Sequence, residues 1–386
     1  MTMPAKFLAL GFTLLLPVFA AAQIEVIDHF KRANGKHAKG DLDGAIADYS
    51  HVIKLDPKYF NAYNNRGNAR LAKGEFDAAI ADYTRVIELN PKSATAHYGR
   101  GVARRAKGDL DGAIADYNRA IALDPKNARA YGHRGDVSQA KGDLAAAIAD
   151  YTRAIALDPK YANAYGHRGD ARQARGDFEG AIADYSQVVA FFPKYANAYH
   201  NRGNARLARG DFEPAIADFN HAIQLDPKYA SAHWSRGSAR IMTRKWSDAL
   251  MDYRRFCELS ETGHDYPRLF IWLLRARLGE TGEASKELAA FLDKRTQTAP
   301  GDLIPVVAGF LMGNVTEENL FAAAASPDAR KQHAQKCAAW YYAGMRKILA
   351  GEKAAAISAF QKCLATDEKA LVEYQFAKAE LKGLAP

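Results

Sequence analysis

Residues 60 to 93 read FNAYNNRGNARLAKGEFDAAIADYTRVIELNPKS, and the chain returns to this stretch repeatedly. Pro57, Pro91, Pro125, Pro159, Pro193 and Pro227 recur every thirty-four residues, and Gly67, Gly101, Gly135, Gly169, Gly203 and Gly237 keep the same interval. A fixed period of about 20 to 50 residues marks stacked supersecondary units, each burying its apolar face on the next. Phe76, Ile80, Tyr83 and Ile87 share one helical face, and Asn90-Pro91 ends that helix because proline cannot continue the hydrogen-bond ladder. Ala62 to Lys73 reads as the helix before it, closed by Gly74. Asp41, Asp109, Asp143, Asp177 and Asp211 are expected to cap the second helices by accepting first-turn amides. Gly67 with Ala79, Gly101 with Ala113 and Gly135 with Ala147 are the small residues expected where paired helices touch. The unit is helix, tight turn, helix, and the fold class is an all-α solenoid of antiparallel helix pairs.

Each period glycine follows an arginine (Arg66, Arg100, Arg134, Arg168, Arg202, Arg236), and sixteen residues after each arginine stands an aspartate (Asp82, Asp116, Asp150, Asp184, Asp218, Asp252). A pattern kept in register within one chain predicts a ladder of arginine–aspartate ion pairs. With Tyr63, Gly67, Ala79, Tyr83 and Pro91 at its signature positions, the repeat resembles the tetratricopeptide repeat, over seven contiguous units. It departs in placing arginine where a large apolar residue usually precedes the glycine. The resemblance implies a right-handed superhelix (α-solenoid) whose first helices line a concave groove for protein or peptide partners.

Met1 to Ala22 has one lysine, an apolar run Phe7–Leu16 and small residues at Ala20–Ala22, the pattern of a secretory signal peptide cleaved between Ala22 and Gln23. The run is short for a membrane span, so the expectation is a periplasmic or secreted protein with no stable span after cleavage. The net charge of +9 is dispersed over repeat edges, for example Lys58, Lys92 and Lys126 after the prolines. Nucleic acid is not expected as a partner, since an exported chain rarely meets it; anionic envelope glycan is a weaker alternative. Of three cysteines, Cys337 and Cys363 fall on paired helices and are expected to form a disulfide in an oxidising compartment, leaving Cys257 a buried thiol.

The organisation expected is a signal peptide at 1–22, seven tandem units at 23–263, a degenerate helix pair at 264–293, a spacer with short helices at 294–335, and a last repeat with a C-terminal capping helix at 336–386. The last repeat shows Trp340, Gly344, Ala356 and Phe360 at signature positions, read as a helix beginning at Cys337. The series LIPVVAGFLMGNVTEENLFAAA, WYYAGMRKILAGEKAAAISAF and VEYQFAKAEL is similar in order to NlpI-type repeat proteins of the proteobacterial envelope. That resemblance implies an adaptor for proteases and peptidoglycan hydrolases. No lipidation cysteine stands at the cleavage point.

Groove positions fall at the second, fifth, sixth, ninth and twelfth residues of each unit. They give Asn61, Asn64, Asn65 and Asn68, then Tyr98, Arg105, His133, Asp136, Gln139, His167, Asp170 and Gln173, then Asn197, His200, Asn201, Asn204 and Trp234. Asparagine is a poor helix former, so four on one face point to selection for hydrogen bonding, with amides that both donate and accept along an extended peptide. Trp234 is a plausible anchor. His133, Asp136, His167 and Asp170 are metal-competent residue types, but neighbouring first helices stand too far apart for one ion, and no metal or cofactor is expected. No nucleophile elbow, P-loop, H-E-x-x-H or C-x-x-C occurs. The reading is a non-enzymatic scaffold of the cell envelope, with a self-assembling structural protein, dimerising as a homodimer, or a direct peptidoglycan binder as alternatives.

Overall fold

The computed structural model describes residues 23–260, 265–295 and 301–384, and among them every regular element is a helix. The signal peptide expected at 1–22 lies outside the described residues. The chain divides into two compact units at Phe191 and Phe192. In the first unit, five helix hairpins follow one another: α1 (23–38) with α2 (Leu42–Leu55), α3 (Phe60–Ala72) with α4 (Phe76–Leu89), α5 (Ala94–Ala106) with α6 (Leu110–Leu123), α7 (Ala128–Ala140) with α8 (Leu144–Leu157), and α9 (Ala162–Ala174) with α10 (Phe178–Phe191). From α2 to α9, each second helix also packs on the first helix of the next hairpin.

The second unit pairs α11 (Ala196–Arg209) with α12 (Phe212–Leu225), α13 (Ala230–Met242) with α14 (Trp246–Leu259), and α15 (Asp265–Arg277) with α16 (Thr281–Asp293). Two short helices follow, α17 (Ile304–Met312) and α18 (Glu317–Ala323). Then come α19 (Ala329–Leu349), its partner α20 (Lys353–Leu364) and the final α21 (Val372–Leu384).

The hairpin turns are made as the residues dictate. Gly40, Gly74, Gly108, Gly142, Gly176 and Gly210 take positive φ, and in the next turn Arg244 carries the same left-handed conformation at φ 59°. Asp41, Asp109, Asp143 and Asp177 each accept the amide three residues on at 2.9–3.0 Å. Asp211 does not cap: the residue three positions on is Pro214, which has no N–H to donate, and Asp211 takes the guanidinium of Arg209 at 2.5 Å instead.

The period glycines face an aromatic ring and not the alanine expected opposite them. A Cβ on Gly135 would stand 2.8 Å from Tyr151 Cε1, one on Gly203 2.6 Å from Phe219 Cε1, and one on Gly344 2.5 Å from Phe360 Cε1. Only a bare backbone lets the ring of the second helix lie flat on the first.

The arginine–aspartate ladder is present, and its arginines join the two helices of a hairpin and reach back to the hairpin before. Arg66 donates from Nε and Nη2 to Asp82 at 3.0 and 2.6 Å, while its Nη1 reaches Ser50 Oγ of the preceding hairpin at 2.9 Å. Arg100 binds Asp116 and Thr84 in the same way, Arg134 binds Asp150 and Asn118, and Arg236 binds Asp252 and Asn220. A second arginine four residues on, such as Arg70 or Arg104, donates to the same aspartate at 2.8 and 2.7 Å. These aspartates are buried, and the bidentate fork supplies the pairing a buried carboxylate requires.

Two sequence expectations change in the second unit. Helix α19 starts at Ala329, not Cys337, because Asp328 caps it by accepting the Lys331 amide at 2.9 Å. Cys257 is half-buried, not enclosed. The terminal helix α21 packs on α13, α19 and α20, with Phe376 edge-on to Phe270 at 5.3 Å and Gly383 beneath the Arg244 guanidinium.

Candidate functional site

The core tyrosines explain where much of the expected groove chemistry goes. Tyr83 donates its hydroxyl to Asn68 Oδ1 at 2.7 Å, Tyr151 to Asp136 Oδ1 at 3.0 Å, and Tyr185 to Asp170 Oδ1 at 2.7 Å, each fifteen residues back along the chain. Tyr49 does the same to Asn34 at 2.6 Å, and Ser238 meets Tyr253 at 3.1 Å. Asn68, Asp136 and Asp170 therefore each accept from a core tyrosine, while Asn68 is exposed and the two aspartates are half-buried. Where Phe219 replaces the tyrosine, Asn204 turns to His200 Nε2 at 3.3 Å.

In the first unit, Asn61 is exposed and Asn65 donates to Asn34 Oδ1 at 3.0 Å. Asn64 donates weakly to Asn65 at 3.4 Å, and its buried Oδ1 has no partner. Tyr98, at the same position one repeat on, stands 6.1 Å from the Tyr117 ring and 5.6 Å from His133. Burial pushes the Tyr98 hydroxyl up to about 12. Arg105 crosses to the next hairpin and donates to Asp136 Oδ2 at 2.6 Å. His133 Nδ1 lies 3.3 Å from that carboxylate but is not aligned for a hydrogen bond.

Burial alone would raise the Asp136 carboxyl; the contact with His133, the charge of His167 and the Tyr151 hydroxyl outweigh it and hold the group below its ordinary value. His133 stacks on Tyr117 and exposed His167 stacks on Tyr151, so each histidine roofs the tyrosine of the preceding hairpin. Gln139 and Gln173 also face these tyrosines, at 3.0 and 3.4 Å from the hydroxyls of Tyr151 and Tyr185.

Tyr117 is the exception among the tyrosines on the second helices of the first unit. Its acceptor position holds Val102, and its buried hydroxyl has no partner. Asn64 Oδ1 on α3, Tyr117 Oη on α6 and His133 Nδ1 on α7 thus leave hydrogen-bonding capacity unfilled in one region, a condition that buried polar groups rarely hold without water or a ligand.

Sequence reasoning passed over the tyrosine two residues after the proline. Tyr161 lies against Gly132, where a Cβ would meet its ring at 2.9 Å, and Tyr59 packs edge-on to Phe30 at 5.1 Å. The dipeptide Lys-Tyr after Pro57, Pro159, Pro193 and Pro227 was the available signal. Hairpins α3–α4 and α5–α6 are followed by Ser93 and Asn127 at this position, so no such ring lies over Asn64 or Tyr98. Glu25, His29 and His51 are also drawn together at the start of the unit; His29 Nδ1 lies 2.5 Å from Arg32 Nη2.

In the second unit, Asn197 Oδ1 accepts the Tyr229 hydroxyl at 2.8 Å, and His200 lies within reach of Tyr229 at 3.1 Å and Ser235 at 3.2 Å. Burial pulls the His200 imidazole below its ordinary value, which keeps it neutral. Asn201 is half-buried. Trp234 packs against Tyr253 at 4.9 Å and Phe256 at 5.5 Å, and it lines a cavity of about 410 Å³ with Ser231, Tyr266, Leu371 and Glu373. Cys337 and Cys363 are buried neighbours with Sγ atoms 3.4 Å apart, held as free thiols. No helix among the described residues is long and apolar enough to cross a membrane.

Comparison with protein families matches residues 64–128 to a tetratricopeptide repeat model, and residues 33–74, 135–174, 169–208 and 203–241 to a TPR repeat model. The C-terminal part of a TPR repeat-containing protein from Cytophaga hutchinsonii is 18% identical over 61% of this chain and 96% of its own, with a TM-score of 0.53, a likeness that speaks for the fold alone. A tetratricopeptide repeat protein from Parabacteroides merdae matches at 17% identity over 65% of this chain and 98% of its own, TM-score 0.47. The MamA protein matches at 28% over 45% and 94%, TM-score 0.41. Comparison with curated proteins returns no match.

Proposed function

We propose, starting from the fact that this chain is a tetratricopeptide repeat protein, that it is a non-enzymatic adaptor holding protein or peptide partners on the inner faces of its first helices. The observation that carries this reading is the set of unfilled polar atoms at Asn64 on α3, Tyr117 on α6 and His133 on α7, beside Tyr98 and Arg105 on α5. An extended peptide presents alternating N–H and C=O groups that would fill them, with many modest contacts summing to affinity. The test is a photo-crosslinking residue at Asn64, with one at exposed Arg119 on α6 as the control. Client adducts from position 64 and none from 119 support the reading; equal yields, or adducts only from 119, overturn it.

We place the protein in the bacterial envelope because Met1–Ala22 carries the composition of an export signal and the C-terminal series is similar to NlpI-type adaptors, whose clients include proteases and peptidoglycan hydrolases. Amino-terminal sequencing of the exported chain should begin at Gln23; a retained Met1 argues against cleavage. Export would also favour a Cys337–Cys363 disulfide, which non-reducing mass mapping reads as a linked peptide pair, two alkylated thiols being the contrary result. The net charge of +9 favours, as a second reading, contact with anionic glycan. Salt-sensitive sedimentation with isolated cell wall supports it, and no sedimentation at low salt removes it.

A further inference from the structure

The 410 Å³ cavity of the second unit has a composition unlike the rest of the inner surface. Trp234 from α13, Phe256 from α14 and Tyr266 from α15 supply three aromatic rings, Pro267, Leu371 and Val372 supply aliphatic walls, and Glu373 supplies a carboxyl group. Ser231, Tyr266 and Ala370 are exposed, so the cavity opens to solvent along one rim. Glu373 is 2% exposed, and its Oε1 makes no well-formed hydrogen bond, with the neutral Tyr342 hydroxyl beside the carboxyl. The titratable groups that face it are Tyr253 from α14, Tyr266 from α15, Cys337, Tyr341 and Tyr342 from α19, and Cys363 from α20. None of these carries positive charge. A buried carboxyl without a cation, enclosed by ring faces, is an incomplete ion pair.

We propose that this cavity receives the side chain of an arginine from the bound partner, its guanidinium stacked on the aromatic rings and its edge donating to Glu373. The proposal rests on the reading of the inner helices as a partner surface, since Ser231 and Trp234 occupy the second and fifth positions of α13. Charge complementarity selects a cation, and ring faces attract cations through their quadrupole. Arginine suits the site better than lysine because a guanidinium is planar, stacks on rings and is weakly hydrated, whereas an ammonium needs acceptors that these aliphatic walls lack. The carboxyl is held partly protonated near neutral pH, burial having pushed it up to about 7, so the cation is bound most tightly above that point, where Glu373 is ionised.

The experiment is calorimetric titration of the full chain with acetyl-Gly-Gly-Arg-Gly-Gly-amide, the same peptide with citrulline in place of arginine, and free butylguanidinium. The expected result is that the arginine peptide binds at least tenfold more tightly than the neutral citrulline peptide, that butylguanidinium competes with it, and that affinity falls as pH is lowered from 8 to 6. In Glu373→Gln, near in shape and no burden on the fold, the arginine preference should disappear. Equal affinity for citrulline, an arginine preference that survives Glu373→Gln, or failure of butylguanidinium to compete with the arginine peptide would each overturn the proposal. Crosslinking from Asn64 in the first unit reports the partner surface separately, so client adducts there alongside a silent titration would sink the pocket and leave the adaptor reading standing.

Discussion

In hairpins α3–α4 to α9–α10 the buried residues are mostly alanine, glycine, tyrosine and aspartate at fixed intervals, and the apolar ones gather in small separate clusters such as Ala79, Tyr83 and Ala103, or Ala113, Tyr117 and Val137. In the second unit one cluster runs from Ile241 to Ala377 and takes in Trp272, Phe270, Tyr341, Phe310 and Phe376 from helices far apart in the chain. The first region is held by neighbour contacts that each repeat makes again, with arginine forks and tyrosine hydroxyls fixing register. The second keeps the period only through α14 and is otherwise held by apolar convergence of residues that follow no period. Stability in the first should therefore be nearly local, and in the second collective.

Trp272→Ala is the heaviest test of that contrast. Trp272 is 2% exposed and donates to Ser285 Oγ at 3.1 Å, so truncation should cost about 3–5 kcal/mol. Hydrogen exchange should show protection lost across α13 to α21 together; loss confined to α15 and α16 would break the comparison. Asp116→Ala should cost roughly 2–3 kcal/mol, less than a fully enclosed pair because the Arg100 and Arg104 side chains it strands are 15% and 28% exposed. Its exchange signature should stay within α4 to α7, and a fall in protection of the second unit would count against local stability.

Glu373→Gln sharpens the comparison through pH. The folded carboxyl titrates near 7 and an ordinary glutamate near 4.5, so between those values the unfolded chain has released a proton that the fold retains. Stability must then fall as pH rises through this window, by about 3 kcal/mol once above 7. Denaturant unfolding of the variant should match the parent near pH 4 and exceed it by about that amount at pH 8; a constant difference would place the carboxyl in water. The smallest effect is Val102→Asn, which supplies the missing acceptor for Tyr117 and should add about 1 kcal/mol in thermal melting, while an unchanged midpoint would mean the hydroxyl already has a water.

The helix boundaries of the repeats and the arginine–aspartate pairing were legible because the period prints the same constraint many times. Asp211 misled, since a cap needs a donor as well as an acceptor and Pro214 withholds it. The groove positions were half legible: spacing places Asn68, Asp136 and Asp170 on the inner helix face, but their tyrosine partners lie on another helix, and no rule of one-helix periodicity joins them. The early start of α19 hid behind ARKQHAQK, which has no apolar stripe, although Pro327-Asp328 before it is a sound helix-start signal. The Trp234 cavity was visible only as a single aromatic, because its carboxyl arrives from α21, whose docking on α13 depends on tertiary convergence.

Because Arg100 reaches back to Thr84 as Arg134 reaches back to Asn118, each of the hairpins α3–α4, α5–α6 and α7–α8 carries both the donor for its predecessor and the acceptor for its successor. The joint is self-complementary, like the two ends of identical track sections. A genetic duplication of thirty-four codons would meet the same joint on either side and need no compensating change, so the length of the array is free to drift while the chemistry of each seam stays constant.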